Sequence, residues 1–253
     1  MDFIRDEKQF KELCGYEIDG VWYPRVTKIV DIKSKPALYR YYGEAKSYKD
    51  AQAITEKSAA EGTLIHETVE KIFVGENPLV DPSIMPAVTA LREFLDRNLI
   101  QVDPENVERR IVNYAHRYAG TIDTLALIDG KFGVLDIKTS QAIYRDYNLQ
   151  TSAYMDALTA EFKNLQTRWI LRIDQNKTCN RCASTLRPKG GREKIRRGRG
   201  VPCSLEDHEW GDLTGIIELK ECPYWKEDFQ AFLGAKKLWE WENEGWLKKV
   251  GYI

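Results

Sequence analysis

With 253 residues, 43% of them apolar, the chain is long enough for one large domain, or a domain carrying an insertion, around a real core. A formal net charge of −1 makes whole-molecule attraction to nucleic acid weak. No run approaches the ~18 consecutive apolar residues of a membrane span, and the charged opening Met-Asp-Phe-Ile-Arg-Asp-Glu-Lys lacks the apolar stretch of a signal peptide; a cytoplasmic protein without membrane association is expected.

Residues 16–32 read as a short β element turning at Asp19-Gly20, after which Tyr23-Pro-Arg-Val-Thr27 enters a helix that Thr27 would cap. Helices are expected over 36–43 and 48–75. The second is interrupted at Gly62 and resumes with Leu64, Ile65, Val69, Ile72 and Phe73 at helical spacing. Tyr39, Tyr41 and Tyr42 with Arg40 suit base stacking or a packed helix face equally well. Residues 82–99 form a further amphipathic helix, with Met85, Val88, Leu91, Phe94 and Leu95 on one side. The period then changes to alternation. Strands are expected over 107–115, 119–128 and 132–138, with a hairpin turn at Ile128-Asp129-Gly130-Lys131. A helix over 146–163, strands over 168–174 and 215–220, and a long aromatic helix over 224–246 complete the chain. The class is α/β, a mixed central β-sheet flanked by helices. A Cys-rich, basic insert over 175–214 sits on a β-hairpin. No Walker-type phosphate loop is present, so the chain carries no motor of its own.

Chemistry concentrates in Gly120-Thr-Ile-Asp123 and Leu135-Asp136-Ile137-Lys138-Thr139. Alternation puts Asp136 and Lys138 on one face of a strand and Ile137 on the other. Pairing through the turn at 129–130 brings Asp123, on the neighbouring strand, close to Asp136. Two such carboxylates repel unless a proton or cation lies between them, and oxygen donors suit Mg²⁺ or Mn²⁺. Lys138 would orient the attacking water or stabilise charge on a phosphate; whether it also takes the proton is left open. His66 lies one helical turn before Glu70 on the same face. A lone histidine there is more often packed than ligating, but an imidazole ligand would favour Mn²⁺ over Mg²⁺. Gln150 and Tyr154 share a face of the following helix.

The order His66, Asp123, Asp136-x-Lys138, Gln150-x-x-x-Tyr154 resembles the RecB-type branch of the PD-(D/E)XK nuclease superfamily, which includes exonucleases of CRISPR adaptation and phage and bacterial members. The likeness covers about residues 20–175 and 215–245, and Tyr23-Pro-Arg-Val-Thr27-Lys-Ile-Val looks like the opening segment of such members. It implies a restriction-endonuclease-like core. It also implies His66, Asp123, Asp136 and the backbone carbonyl of Ile137 as Mg²⁺ or Mn²⁺ ligands, with Gln150 and Tyr154 beside the DNA. The implied activity is metal-dependent DNA exonuclease action in recombination, repair or replication, with a recombination or replication protein as a possible partner. A non-catalytic DNA-binding scaffold on a nuclease fold and a structure-specific endonuclease are the alternatives.

The insert carries Cys179-x₂-Cys182, then Cys203 and His208. Four such ligands suit tetrahedral Zn²⁺, whose binding would order a loop with little core of its own. The rival is a 4Fe–4S cluster on Cys14, Cys179, Cys182 and Cys203, since some RecB-type nucleases hold one with one early and three late cysteines. Cys222 reads as packed and inert. Between 187 and 199 stand seven basic residues and one acid. Lys189, Arg192, Lys194, Arg196, Arg197 and Arg199 are assigned to phosphate contacts that position DNA without reading sequence, against a solvated loop or a protein-docking segment.

Overall fold

The computed structural model describes residues 4–33 and 35–253, without the side chains of residues 36, 37 and 40; the stacking considered for Arg40 lies outside the described residues. The chain opens with a helix that periodicity missed, α1 (Glu7–Cys14), because only Phe10 and Cys14 on it are buried; Asp6 caps it, accepting from the Gln9 N–H. The antiparallel hairpin β1 (Gly15–Ile18) and β2 (Val21–Pro24) turns at Asp19-Gly20 as expected, both with positive φ. In α2 (Val26–Val30) Thr27 lies inside the first turn and Arg25 holds the cap position without a side-chain bond, so Thr27 is not the cap.

After α3 (Pro36–Glu44) comes α4 (Tyr48–Phe73), 26 residues capped by Ser47 and unbroken at Gly62. That glycine has another purpose: a Cβ there would stand 2.8 Å from Thr139 Oγ1, so its absence lets the helix approach the chemistry-bearing strand. An internal helical glycine costs roughly 1 kcal/mol relative to alanine. Next come α5 (Met85–Arg97), a short strand β3 (Ile100–Val102) that three residues could not announce, and β4 (Arg109–Asn113).

The stretch expected as one strand over 119–128 is two, β5 (Tyr118–Ile122) and β6 (Thr124–Ile128). Strand β5 pairs with β4 in a small sheet, whereas β6 pairs with β3 and with β7 (Lys131–Lys138) in the main one. The bend between them falls on Asp123. Helix α6 (Tyr147–Leu158) connects β7 to β8 (Thr167–Cys179), which runs parallel to β7. The insert is more ordered than a loop. It folds as the hairpin β9 (Thr185–Lys189) and β10 (Arg192–Arg196) before β11 (Trp210–Glu221) returns antiparallel to β8. The excursion from the β8–β11 hairpin is therefore residues 180–209, shorter than 175–214. Strand β8 pairs with β7 along its first half and with β9 at Lys177 and Thr178, so the insert prolongs the sheet. The main sheet has seven strands in the order β10-β9-β8-β7-β6-β3, with β11 also on β8. The aromatic C-terminal segment breaks at Asn243 into α7 (Lys226–Glu242) and α8 (Glu244–Lys249).

Two cores flank the sheet. Ile65, Val69, Leu91, Leu135, Ile137 and Leu171 pack where α4 and α5 cover one side. Phe10, Trp22, Val134, Tyr154, Phe232 and Trp239 pack on the other side with α1, α6 and α7. The alternation of β7 is thus realised: odd positions face α4, and Val134 and Asp136 face α6. Arg168 on β8, 1% exposed, pairs with Asp228 of α7 and so ties that helix to the sheet beside α6. Removing one partner of a buried pair leaves a charge without compensation. Asp228→Ala is expected to cost about 3–5 kcal/mol in unfolding free energy, read from urea denaturation, and a cost below about 1 kcal/mol contradicts this packing.

Candidate metal centre

The last β6–β7 pair is Thr124 with Leu135, so β7 runs three residues past its partner. At this frayed edge Asp123 replaces the missing strand: its Oδ2 accepts the N–H of Ile137 at 2.5 Å. A strand residue presents N–H and C=O to the same edge, so the Ile137 carbonyl shares the edge of Asp123. Asp136 is fully buried. Lys138 Nζ lies 2.6 Å from its Oδ2, near enough for an ion pair but off the direction of a hydrogen bond. Gln150 Nε2 donates to Asp136 Oδ1 at 3.3 Å and to the Tyr154 hydroxyl at 2.9 Å. The i, i+4 pair on α6 therefore holds the acid from the side opposite α4.

Burial pushes the Asp136 carboxyl up to about 6 against the pull of Lys138, and burial raises Asp123 as well. Burial works to lower the Lys138 ammonium, but Asp136 and Asp123 outweigh it and leave the group raised, hence charged. The His66 imidazole is lowered to about 4 by burial and then by Lys138, with Asp136 opposing. It is neutral near pH 7, the form that can ligate a metal.

Sequence reasoning missed Glu108. It stands at φ 51° just before β4, and its N–H donates to the Asp123 carbonyl. Its carboxyl shares a hydrogen bond with Glu70, and burial, then Glu70 and Asp123, push it up to about 7. Only the β4–β5 register places it there: Arg109 opposite Ile122 sets Glu108 opposite Asp123. A cavity of about 500 Å³ opens beside His66 and Glu70, lined also by Ser58, Gly62 and Thr139. The donor types fit a hard divalent cation, and the raised pKa values of Asp123 and Asp136 mean that Lys138 alone does not offset the desolvation of the two acids. The ligands are not drawn tight, however: the side-chain ligand atoms of His66, Asp123 and Asp136 do not all come within 4.8 Å of one another.

Cys179, Cys182, Cys203 and His208 do, alone among the described residues. Cys179 ends β8, the Ala183 N–H returns to its carbonyl at 3.0 Å, and the His208 ring stacks on Trp210 of β11 at 4.5 Å. Burial works to raise Cys179, but surrounding N–H groups bring it down to about 7; the Ser184 hydroxyl does most to bring Cys182 to about 7. This group could hold a metal ion such as zinc. Cys14 is elsewhere, buried with Phe10 and Trp22 in the core beside α1, and cannot join the other three cysteines around one cluster. The four-cysteine iron–sulfur set is thereby corrected: the fourth side chain of the group is His208, not Cys14.

Of the basic residues, Lys189 is buried and donates to the Thr139 carbonyl at 2.5 Å, Arg192 lies 4.6 Å over the Tyr41 ring, and Lys194, Arg196, Arg197 and Arg199 are exposed. No family model and no curated protein matches the chain. No helix among the described residues is long and apolar enough to cross a membrane.

Asp136 and Glu108 hold protons more tightly folded than unfolded. The stability they contribute is full below about pH 4 and falls as pH rises through about 6 to 7. His66, depressed, acts oppositely, with its contribution lost as pH falls from about 6.5 toward 4. A divalent cation replaces protons on the acids and meets an imidazole already neutral. Mn²⁺ or Mg²⁺ should therefore raise the Tm more at about pH 8 than at about pH 5. Equal shifts in thermal melts at the two pH values contradict this centre.

Proposed function

We propose that the chain is a divalent-cation-dependent deoxyribonuclease, an exonuclease of the RecB type on a restriction-endonuclease-like core, serving recombination, repair or replication. The observation that supports this reading best is the meeting of Asp123, Asp136 and a charged Lys138 at the frayed end of β7, beside a neutral His66. Mg²⁺ or Mn²⁺, held by His66, Asp123, Asp136 and the Ile137 carbonyl, would supply Lewis-acid polarisation of the phosphate and a more acidic water. Lys138, kept charged by its carboxylate neighbours, sets a fixed positive charge where negative charge grows on the phosphate. It is a charge stabiliser in this state, not a proton acceptor. Gln150, locked between Asp136 and Tyr154, keeps the acid aimed at the edge rather than at the α6 core. Preference for strand ends follows from the resemblance, as does a recombination or replication partner.

The intact acid and lysine set weighs against a non-catalytic scaffold. The test is decay of end-labelled linear DNA, and of closed circular DNA, with Mn²⁺ or Mg²⁺. Wild type should degrade the linear form and spare the circle. Lys138→Ala should lose about 10²–10³-fold in rate, and Asp136→Ala should fall below detection. Wild-type rates in both variants sink the proposal, and cutting of the circle turns it into an endonuclease.

The Cys179, Cys182, Cys203 and His208 set is proposed to hold one structural Zn²⁺ rather than an iron–sulfur cluster. Elemental analysis should find about one zinc per chain, in a colourless protein. Cys203→Ser should lose the metal and make residues 180–209 sensitive to protease. Brown protein containing iron overturns the assignment.

A further inference from the structure

We propose that one face of the β9–β10 hairpin is a clamp for the sugar–phosphate backbone of the strand fed to the metal centre, an inference that rests on the hydrolase reading above. The register carries it. Arg192 pairs with Lys189, Lys194 with Arg187 and Arg196 with Thr185. Cross-strand partners share a face, so Arg187, Lys189, Arg192, Lys194 and Arg196 all point one way. Leu186, Pro188, Glu193 and Ile195 point the other, which puts the hairpin's one acid on the back.

The cationic face is pressed toward the centre. At the turn, Gly190 and Gly191 have positive φ, and a Cβ on Gly190 would come within 2.0 Å of Ser58 Oγ and 2.5 Å of the Ile54 carbonyl, so only glycine allows the hairpin to rest on α4. Between them lies a cavity of about 290 Å³ lined by Arg187, Lys189, Arg192 and Lys194, with Tyr41 and Tyr144, and, among the described residues, by no carboxylate. Two of these cations are spoken for. Arg187 is held by Asp174 at 2.7 Å, and both Arg187 and Lys189 donate to the carbonyl of Thr139, the residue after Lys138. The outer two are not. Arg192 lies on Tyr41, and among the described residues no carboxylate comes within 4.0 Å of Arg192 or Lys194.

Like charges gathered over one cavity without an acid repel one another until a polyanion arrives. Ser58 lines this cavity and the one beside His66 alike, so a backbone gripped here would run on toward His66. Arg197 and Arg199 fall in the segment after β10, away from the cavity, and are not part of the clamp. Cys179 at the end of β8 and Cys182 in the turn to β9 stand at the root of the hairpin, where a bound metal would set its angle. Lysine and arginine contacts of this kind position a strand without reading its bases.

The experiment is fluorescence anisotropy of a labelled DNA oligonucleotide with the full-length, metal-loaded protein, with Ca²⁺ in place of Mg²⁺, over a salt series. Arg192→Gln/Lys194→Gln should weaken binding about tenfold and lower the slope of log affinity against log salt by about 1 to 2. Arg192→Glu/Lys194→Glu should weaken it further, while Arg197→Gln/Arg199→Gln should stay within about twofold of wild type. Wild-type affinity in the first pair, an equal loss in the last pair, or no binding by wild type overturns the clamp. A wild type that binds through Arg192 and Lys194 yet never cleaves supports the clamp and removes the hydrolase reading instead.

Discussion

Two carboxylates at the free end of β7, one fully buried and one partly so, govern this structure. Asp136 is fully enclosed, and Asp123 abandons the β6 ladder to take the N–H of Ile137. Neither arrangement is favourable without a compensating charge, since desolvation and mutual repulsion both disfavour ionisation. One ammonium, Lys138, supplies part of that charge. The remainder of the neighbourhood is arranged around the deficit: a glycine in α4 lets His66 come close, and Gln150 and Tyr154 brace Asp136 from α6. Structure that a stability argument alone would have replaced by apolar packing has a purpose if a cation belongs there.

The insert solves a different problem. Residues 180–209 bury few apolar side chains, yet they form a hairpin in register with the main sheet. Three thiols and an imidazole converge at its root, and a metal ion bound there would supply ordering free energy that a core cannot. The hairpin then returns to the end of β7 through Arg187 and Lys189 on the Thr139 carbonyl. An element that lies outside the family resemblance is therefore joined by hydrogen bonds to the residue next to Lys138, so order in one region is linked to geometry in the other.

Much of the centre was legible in the chain because its determinants are local. The period of two in β7 sets Asp136 and Lys138 on one face, and the helical period sets Gln150 above Tyr154. Cys179, Cys182, Cys203 and His208 announced themselves by ligand type and spacing. Where the structure departs from the local pattern, the cause is contact between distant segments. Gly62 looked like a helix break because the approach of Thr139, 77 residues on, is invisible in sequence. The strand expected across Asp123 is two because each half finds a different partner sheet. The charged run after 184 alternates as a strand should, but its polar, glycine-rich composition read as loop until pairing with β8 gave it a place.

Local chemistry thus determined the element types, the mixed α/β class, the donor sets of both candidate centres and the basic character of the insert, since periodicity and ligand preference act within a few residues. Tertiary structure alone decided that Glu108 stands opposite Asp123, that Cys14 is packed in the core outside the Cys/His group, and that five cations share one hairpin face. Those outcomes depend on strand register and helix approach, which are settled by the packing of the whole chain and leave no mark on any short window of it.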